Sequence, residues 1–279
     1  GSINTHLRLA YDLSAAAWAA EFLRQRHSRP FFLSCGFIHP HREFPAAGGE
    51  TRREHPVPPP YLPDHPAVRE DLARYGDAAA SMDRAAGIVI RAIHDTGHDC
   101  DTLVIFTTDH GIAFPGAKCC LSDAGIGVAL IIRPPTGQPR RPETDALVSH
   151  LDVAPTILDY AGQPALPWHQ GSSLRPLIEG SGPFRRDAVF AEINFHAAYE
   201  PARCMRLRDR KLIRYFDSYD LALPSNIDDS PSKSLWIEHG GLSRPRARIQ
   251  YYDLSIDPDE QCTLAGHPQY APAQADLEQ

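Results

Sequence analysis

Apolar and polar positions follow three different rhythms along this chain, and each rhythm predicts its own kind of element. The run "LSAAAWAAEFLRQRH" at 13–27 predicts a helix, because alanine has the highest helix propensity and no side-chain entropy to lose. Pro30 ends it, and "FFLSCGF" predicts a short buried strand that leaves through the loop "IHPHREFP". Residues 45–66 are rich in proline around "PVPPPYLP", which predicts an extended surface crossing. In a second, longer helix Leu72, Tyr75, Ala79, Met82, Ala86, Val89 and Ile93 recur at steps of three and four. That spacing makes one apolar stripe, with Tyr75 and Met82 as core residues and Gly97 as the stop.

Beyond Gly97 the rhythm changes to continuous β-branched runs. "TLVIFTT" and "VALII" (128–132) predict fully buried strands of the kind found in parallel sheets. Ser149 and Asp152 have capping-box spacing for a helix through Tyr160, closed by Gly162. This grammar predicts an α/β sandwich with a mostly parallel central sheet over residues 1–185. From about 187 onward, "DAVFAEINF", "ARCMRLRDRKLIRYF" and "QYYDL" are strand-like pieces between polar loops, predicting a smaller antiparallel lobe over 186–279. "PSNIDDSPSKS" at 224–234 reads as a loop, and "YAPAQADLEQ" begins a last helix.

Composition narrows the function. A formal net charge of −7 removes the basic face that a general nucleic-acid binder shows. No run reaches the roughly 18 apolar residues of a membrane-crossing helix. Six scattered cysteines with no Cys-x-x-Cys pair suggest neither a zinc knuckle nor a dense disulfide framework. No Asn-x-Ser/Thr acceptor occurs. Gly1-Ser2 reads as the remnant of a cleaved tag, so the compartment is left open between periplasm and cytoplasm.

The chemistry concentrates at "TDHG". In open α/β sheets ligands bind beyond the carboxyl ends of strands, where Asp109 and His110 stand directly after "LVIFTT". A carboxylate there can meet a divalent cation, and the adjacent imidazole can add a nitrogen. The plain alternative is a turn cap beside a surface histidine, and three residues alone do not choose between the two.

Taken together, "PFFLSCGFIHPHREFP", "YGDAAASMDRAAGIVIRAIHDTGHDCDTLVIFTTDHG" and "GAKCCLSDAGIGVALIIRPP" resemble the sulfatase family of the alkaline-phosphatase superfamily. "HLDVAPTILDYAG", "EPARCMRLRDRKLIRYFD" and "QYYDLSIDPDEQCTLAGHP" match its later parts, and "TDHGIAFPGAK" looks nearest to the sulfamidase-like branch. The resemblance implies that Asp109 and His110 ligate one divalent cation, normally Ca2+, where many members have Asn at the second position. It implies that Lys118 contacts sulfate oxygens, a task for which a surface lysine is the plain alternative. His41 would hydrogen-bond the sulfate or its leaving atom, and His196 would lie on the substrate side. His39 would be a rim residue and His150 structural. The implied substrate is a small sulfated compound, a glycan or an aryl sulfate, with no nucleic acid and no membrane involved.

One expectation concerns what is not here. The family carries an early aspartate pair and a Cys/Ser-x-Pro-x-Arg segment whose first residue becomes formylglycine. No strand ending in paired aspartates precedes "PFFL", and the formylglycine segment is expected to be absent from this chain. The chain then reads as a partial sulfatase, inactive alone, with exposed sheet edges that favour homo-oligomers or aggregation. Two alternatives stay open: a phosphonate monoester hydrolase or phosphodiesterase of the same superfamily, and a non-catalytic homologue that binds an anion or a partner.

Overall fold

The computed structural model describes residues 5–45, 56–139 and 143–278. In chain order its main elements are α1 (Thr5–Arg24), α2 (Pro66–Asp95), β1 (Val104–Thr107), α3 (Asp123–Ile126) and β2 (Leu130–Arg133). They continue with α4 (Val153–Tyr160), α5 (Arg175–Glu179), β3 (Val189–Phe195), β4 (Tyr199–Arg206) and β5 (Arg210–Tyr215). Last come α6 (Pro231–Glu238), β6 (Ile249–Asp253) and α7 (Ala271–Glu278). The chain divides into two compact units: residues through Asp101 with Asp228–Glu238, and Thr102–Ile227 with His239 onward.

In the first unit α1 packs on α2 through small residues. Ala16, Ala19, Ala20 and Leu23 on α1 are buried, as are Ala78, Ala85 and Ala92 on α2. Helix α1 starts earlier than its alanine run because its buried face continues through two polar residues, Arg8 and Asp12. The buried side of α2 likewise departs in part from the predicted stripe. It includes Asp71 and Ser81, while Leu72, Tyr75 and Met82 are only half-buried. Gly97, in the left-handed region at φ 77°, follows the helix as expected. "PVPPPYLP" is irregular and extended, as predicted, and residues 46–55 of the proline-rich crossing lie outside the described residues. "FFLSCGF" has no strand partner among the described residues and is irregular rather than a strand. The tail of "PSNIDDSPSKS" is not a loop, since Pro231 opens α6.

The second unit corrects the predicted parallel sheet. Strands β1 and β2 pair antiparallel, with Val104 opposite Arg133 and Thr107 opposite Leu130. The chain between them is long enough for a parallel crossover, but it folds into a tight loop with only the four-residue α3 and no crossover helix. Among the described residues the sheets are a two-stranded one and a four-stranded one, both antiparallel. The strands β1 and β2 are half-buried rather than fully buried. Downstream, the capping box of Ser149 and Asp152 forms as predicted, followed by α4 and by Gly162 at φ 67°.

The C-terminal sheet has the order β3-β4-β5-β6 and matches the predicted antiparallel lobe. One face packs Ala202, Cys204, Ile213 and Tyr252 around Leu121. The other presents Leu212 and Tyr251 to Leu277 of α7. Exposed aromatic side chains stand on and beside this sheet: Phe190, Phe195, Tyr199 and Phe216 are all open to water. The Arg214 guanidinium lies 5.3 Å from the Phe216 ring centre.

Candidate functional site

Strand β1 delivers Asp109 and His110 to the second unit's surface. The carboxylate of Asp109 is 88% exposed, and its Oδ1 accepts the His110 backbone N–H at 3.0 Å. His110 Nδ1 lies 2.7 Å from the Gly111 carbonyl. A carbonyl can only accept, so that contact places the imidazole proton on Nδ1 and leaves the Nε2 lone pair available. Nε2 stands 3.7 Å from Asp109 Oδ2. The two donor atoms are therefore close enough to share one cation at ordinary ligand distances of about 2.0–2.6 Å.

The segment that follows is fixed by its backbone. Gly111 N–H donates to Gly125 O at 2.9 Å, and Lys118 N–H donates to Ile112 O at 3.0 Å. A Cβ on Gly111 would sit 1.8 Å from the Ala124 carbonyl oxygen, and one on Gly125 would sit 2.2 Å from that of Cys120. Only glycine fits at either point. Phe114, Ala117 and Leu121 anchor the loop in the core. Lys118 is 8% exposed, so the plain alternative of a surface lysine does not hold. Burial also pushes the Cys120 thiol up to about 12, with the Glu200 charge adding to the effect.

His196 is exposed in the turn after β3, where its N–H donates to Ala198 O at 3.2 Å. Asn226 holds that turn: its Oδ1 accepts the N–H groups of Ala197 (3.1 Å) and Ala198 (2.8 Å), and its Nδ2 donates to Glu200 at 2.8 Å. Glu200 pairs with Arg246, which also bonds Asp217 and stacks on Tyr215. Burial raises the Glu200 carboxyl above its ordinary range despite Asn226 and Arg246. His150 Nε2 meets Thr107 Oγ1 at 2.8 Å, consistent with a structural role at the end of β1.

His41 belongs to the first unit, and Asp109, His110, Lys118 and His196 belong to the second. Its ring is exposed, and its Nδ1 bonds the Arg42 carbonyl. The expectation that His39 is a rim residue is overturned. His39 is 4% exposed, and its Nδ1 lies 2.6 Å from Asp12, which is wholly buried. The expected absence of a Ser-x-Pro-x-Arg pentapeptide also fails, because Ser181-Gly182-Pro183-Phe184-Arg185 satisfies that pattern. It lies in the loop between α5 and β3, after the "TDHG" segment rather than before it, and the adjacent Arg186 pairs with buried Asp152 at 2.6 Å.

Among the described residues no cluster of three or more His, Cys, Asp or Glu side chains could hold a metal. Asp109 and His110 bring two neighbouring donor atoms together, and no third His, Cys, Asp or Glu side chain completes a metal-holding group with them among the described residues. Sequence reasoning missed Asp12, Asp71 and Asn226, because an isolated Asp or Asn carries no signal of burial until its partners are known.

The sulfatase family model matches residues 5–163, more than half of the chain. The chain belongs to the sulfatase family. A second model, for the C-terminal region of N-sulphoglucosamine sulphohydrolase, matches residues 117–232. Human N-sulphoglucosamine sulphohydrolase is 29% identical over 303 aligned positions, which take in 90% of this chain and 59% of that protein. The chain thus spans little more than half the length of this relative. Among solved structures, a Bacteroides thetaiotaomicron sulfatase of glycosaminoglycan metabolism superposes with a TM-score of 0.72 at 18% identity, covering 96% of this chain and 56% of its own. A phosphonate monoester hydrolase from Silicibacter pomeroyi superposes with a TM-score of 0.56 at 24% identity, covering 75% and 40%. At such identities the superpositions speak for the sulfatase α/β fold alone.

Proposed function

We propose that this chain carries cation-facing and anion-facing residues of a sulfatase that hydrolyses a sulfate ester or an N-sulfate. The observation that supports this most is the paired donor set after β1: an 88%-exposed carboxylate with the imidazole Nε2 of His110 3.7 Å away. Asp109 and His110 would hold one divalent cation, Ca2+ being the metal that the family resemblance implies. Once bound, that cation supplies charge neutralisation for a tetrahedral anion. Lys118 would set a fixed ammonium against charge on the transferring group. His41 would present Nε2 to the sulfate or its leaving atom, and His196 would contact the rest of the substrate. The nucleophile this chemistry needs is a formylglycine hydrate, and we assign it to a segment other than Ser181–Arg185. Residues 1–185 then carry the chemistry, and 186–279 carry substrate contacts.

Two experiments test the reading. Calorimetric titration of this chain with CaCl2 should give heat that Asp109→Asn removes; an unchanged isotherm in the variant would end the metal assignment. A polypeptide that also carries a formylglycine segment should turn over an aryl sulfate faster than an aryl phosphonate in the presence of calcium. The second reading, a phosphonate monoester hydrolase, draws on the fold shared with the Silicibacter pomeroyi enzyme. Faster turnover of the phosphonate would put it first.

A further inference from the structure

The loop Ile38–Phe44 consumes more buried charge than any packing role explains. Asp12 is 0% exposed and accepts three bonds from this loop: Ile38 N–H at 2.7 Å, His39 N–H at 3.2 Å, and His39 Nδ1 at 2.6 Å. Arg8, 8% exposed, donates to the carbonyl of His41 at 2.9 Å. Arg42 and Asp71, 8% and 2% exposed, form a two-pronged pair at 2.8 and 2.7 Å. Ser232, 1% exposed, adds a hydroxyl to Asp71 at 2.6 Å, and Arg42 also lies 4.2 Å over the Phe44 ring.

Burying ion pairs is an inefficient way to gain stability. Desolvation takes back most of the attraction, and apolar side chains of similar volume often do as well or better. The rest of this unit relies on such apolar packing, alanine against alanine. What the charges achieve is geometric. Of the ring-bearing residues in the loop, His39 and Phe44 are buried while His41 is exposed. The chain of contacts runs from Asp71 to Arg42, and from the Arg42 carbonyl to His41 Nδ1. Arg8 pins the His41 carbonyl from the other side, and Asp12 fixes the two residues at the head of the loop.

We propose that Asp12, Arg8 and the Arg42–Asp71 pair are positioning residues for His41. They hold its imidazole as the Nδ1–H tautomer, in one orientation, with the Nε2 lone pair presented outward. This rests on the reading of His41 as the residue that meets the sulfate. It adds that the ring is set before any ligand arrives, by groups that never touch the ligand. Neutral imidazole has two tautomers of similar energy in water, so a fixed acceptor on Nδ1 is what selects one.

The test uses this 279-residue chain with 15N-labelled histidine, at a pH where the rings are neutral. Long-range proton–nitrogen correlations report the tautomer of each ring, with His39→Gln and His41→Gln supplying assignments. The expected wild-type result is a single Nδ1–H tautomer for both His39 and His41. Asp12→Asn puts an amide where His39 needs an acceptor, so His39 should leave the Nδ1–H form and His41 should lose its single-tautomer signature. In Asp71→Asn the His41 signature should be lost while His39 keeps its own. His196 serves as the unchanged control in each case. Where either variant melts below the measuring temperature, Arg8→Gln gives the same reading, because it removes only the bonds to loop carbonyls. A clamp that merely stabilises would lower the melting temperature and leave the His41 signature intact; that result in folded variants overturns the proposal. Titration with sodium sulfate separates the two ideas. If wild-type His41 does not respond to sulfate while the variants still scramble its tautomer, the anion-binding role falls and the positioning role stands.

Discussion

Two loops carry the chain's candidate chemistry, and they are held by opposite means. Asp109–Gly127 is fixed by its own main chain: carbonyls and glycines interlock so closely that a single methyl group has no room at Gly111 or Gly125. Ile38–Phe44 is fixed by side chains brought from α1 and α2, chiefly buried Asp12, Arg8 and Asp71. The first kind of loop is sensitive above all to volume, with charge entering only near its end at Asp123. The second is sensitive to charge and tolerant of volume. Each therefore has its own way of failing, and the two can be broken separately.

The largest effect is expected at Gly111. Gly111→Ala drives Cβ into the Ala124 carbonyl and should cost more than about 4 kcal/mol, among the most severe single changes. Gly36→Ala, just ahead of the other loop, meets nothing within 4 Å and should stay within about 0.5 kcal/mol. Thermal unfolding followed by circular dichroism checks both, and similar melting of the two variants would erase the contrast. Next comes Asp71→Ala, which leaves the Arg42 guanidinium buried without its carboxylate and should cost about 3–5 kcal/mol in urea unfolding. The double variant Arg42→Met/Asp71→Leu should recover much of that loss; if it does not, the loop is held by shape after all. Asn226→Ala comes third. It strips two backbone N–H groups of their acceptor and should cost about 1–3 kcal/mol, with faster amide exchange at Ala197 and Ala198.

The smallest effect is a pH dependence at Asp123, which opens α3 near the end of the glycine-built loop. Burial pushes its carboxyl up, but bonds from Arg206 and Lys211 outweigh this and hold it below the ordinary value of 3.8. A depressed folded pKa means the folded chain binds this proton more weakly than the unfolded chain does. The contribution is fully present above pH 3.8 and disappears as pH falls through the lower folded value. The stability gap between wild type and Asp123→Asn should therefore narrow in acid, and a gap independent of pH would remove the charge account.

Much of this could be read from the sequence, but not evenly. The strand segments of the C-terminal lobe, the Ser149–Asp152 capping box and the position of "TDHG" at a strand end all follow from local patterns spanning a few residues. The pairing direction of β1 and β2 does not, because it depends on the path of the intervening chain. The stripe on α2 is right at Ala86 and Ile93 but incomplete for a related reason: hydrophobic periodicity cannot register Asp71 and Ser81 as inward-facing. Asp12 and His39 are 27 positions apart and look unremarkable singly. Only the fold makes them a pair. A five-residue pattern such as Ser181–Arg185 shows the reverse error, since it matches in letters while standing in an unrelated loop.

The sheet of the C-terminal lobe carries a practical warning. Helix α7 shelters Leu212 and Tyr251, while Phe190, Phe195, Tyr199 and Phe216 face water in the native state. Environment-sensitive fluorophores such as anilinonaphthalene sulfonate should light up on the fully native protein. Dye-based melting curves will then start from a high baseline, and for this chain brightness alone says nothing about whether it has come apart.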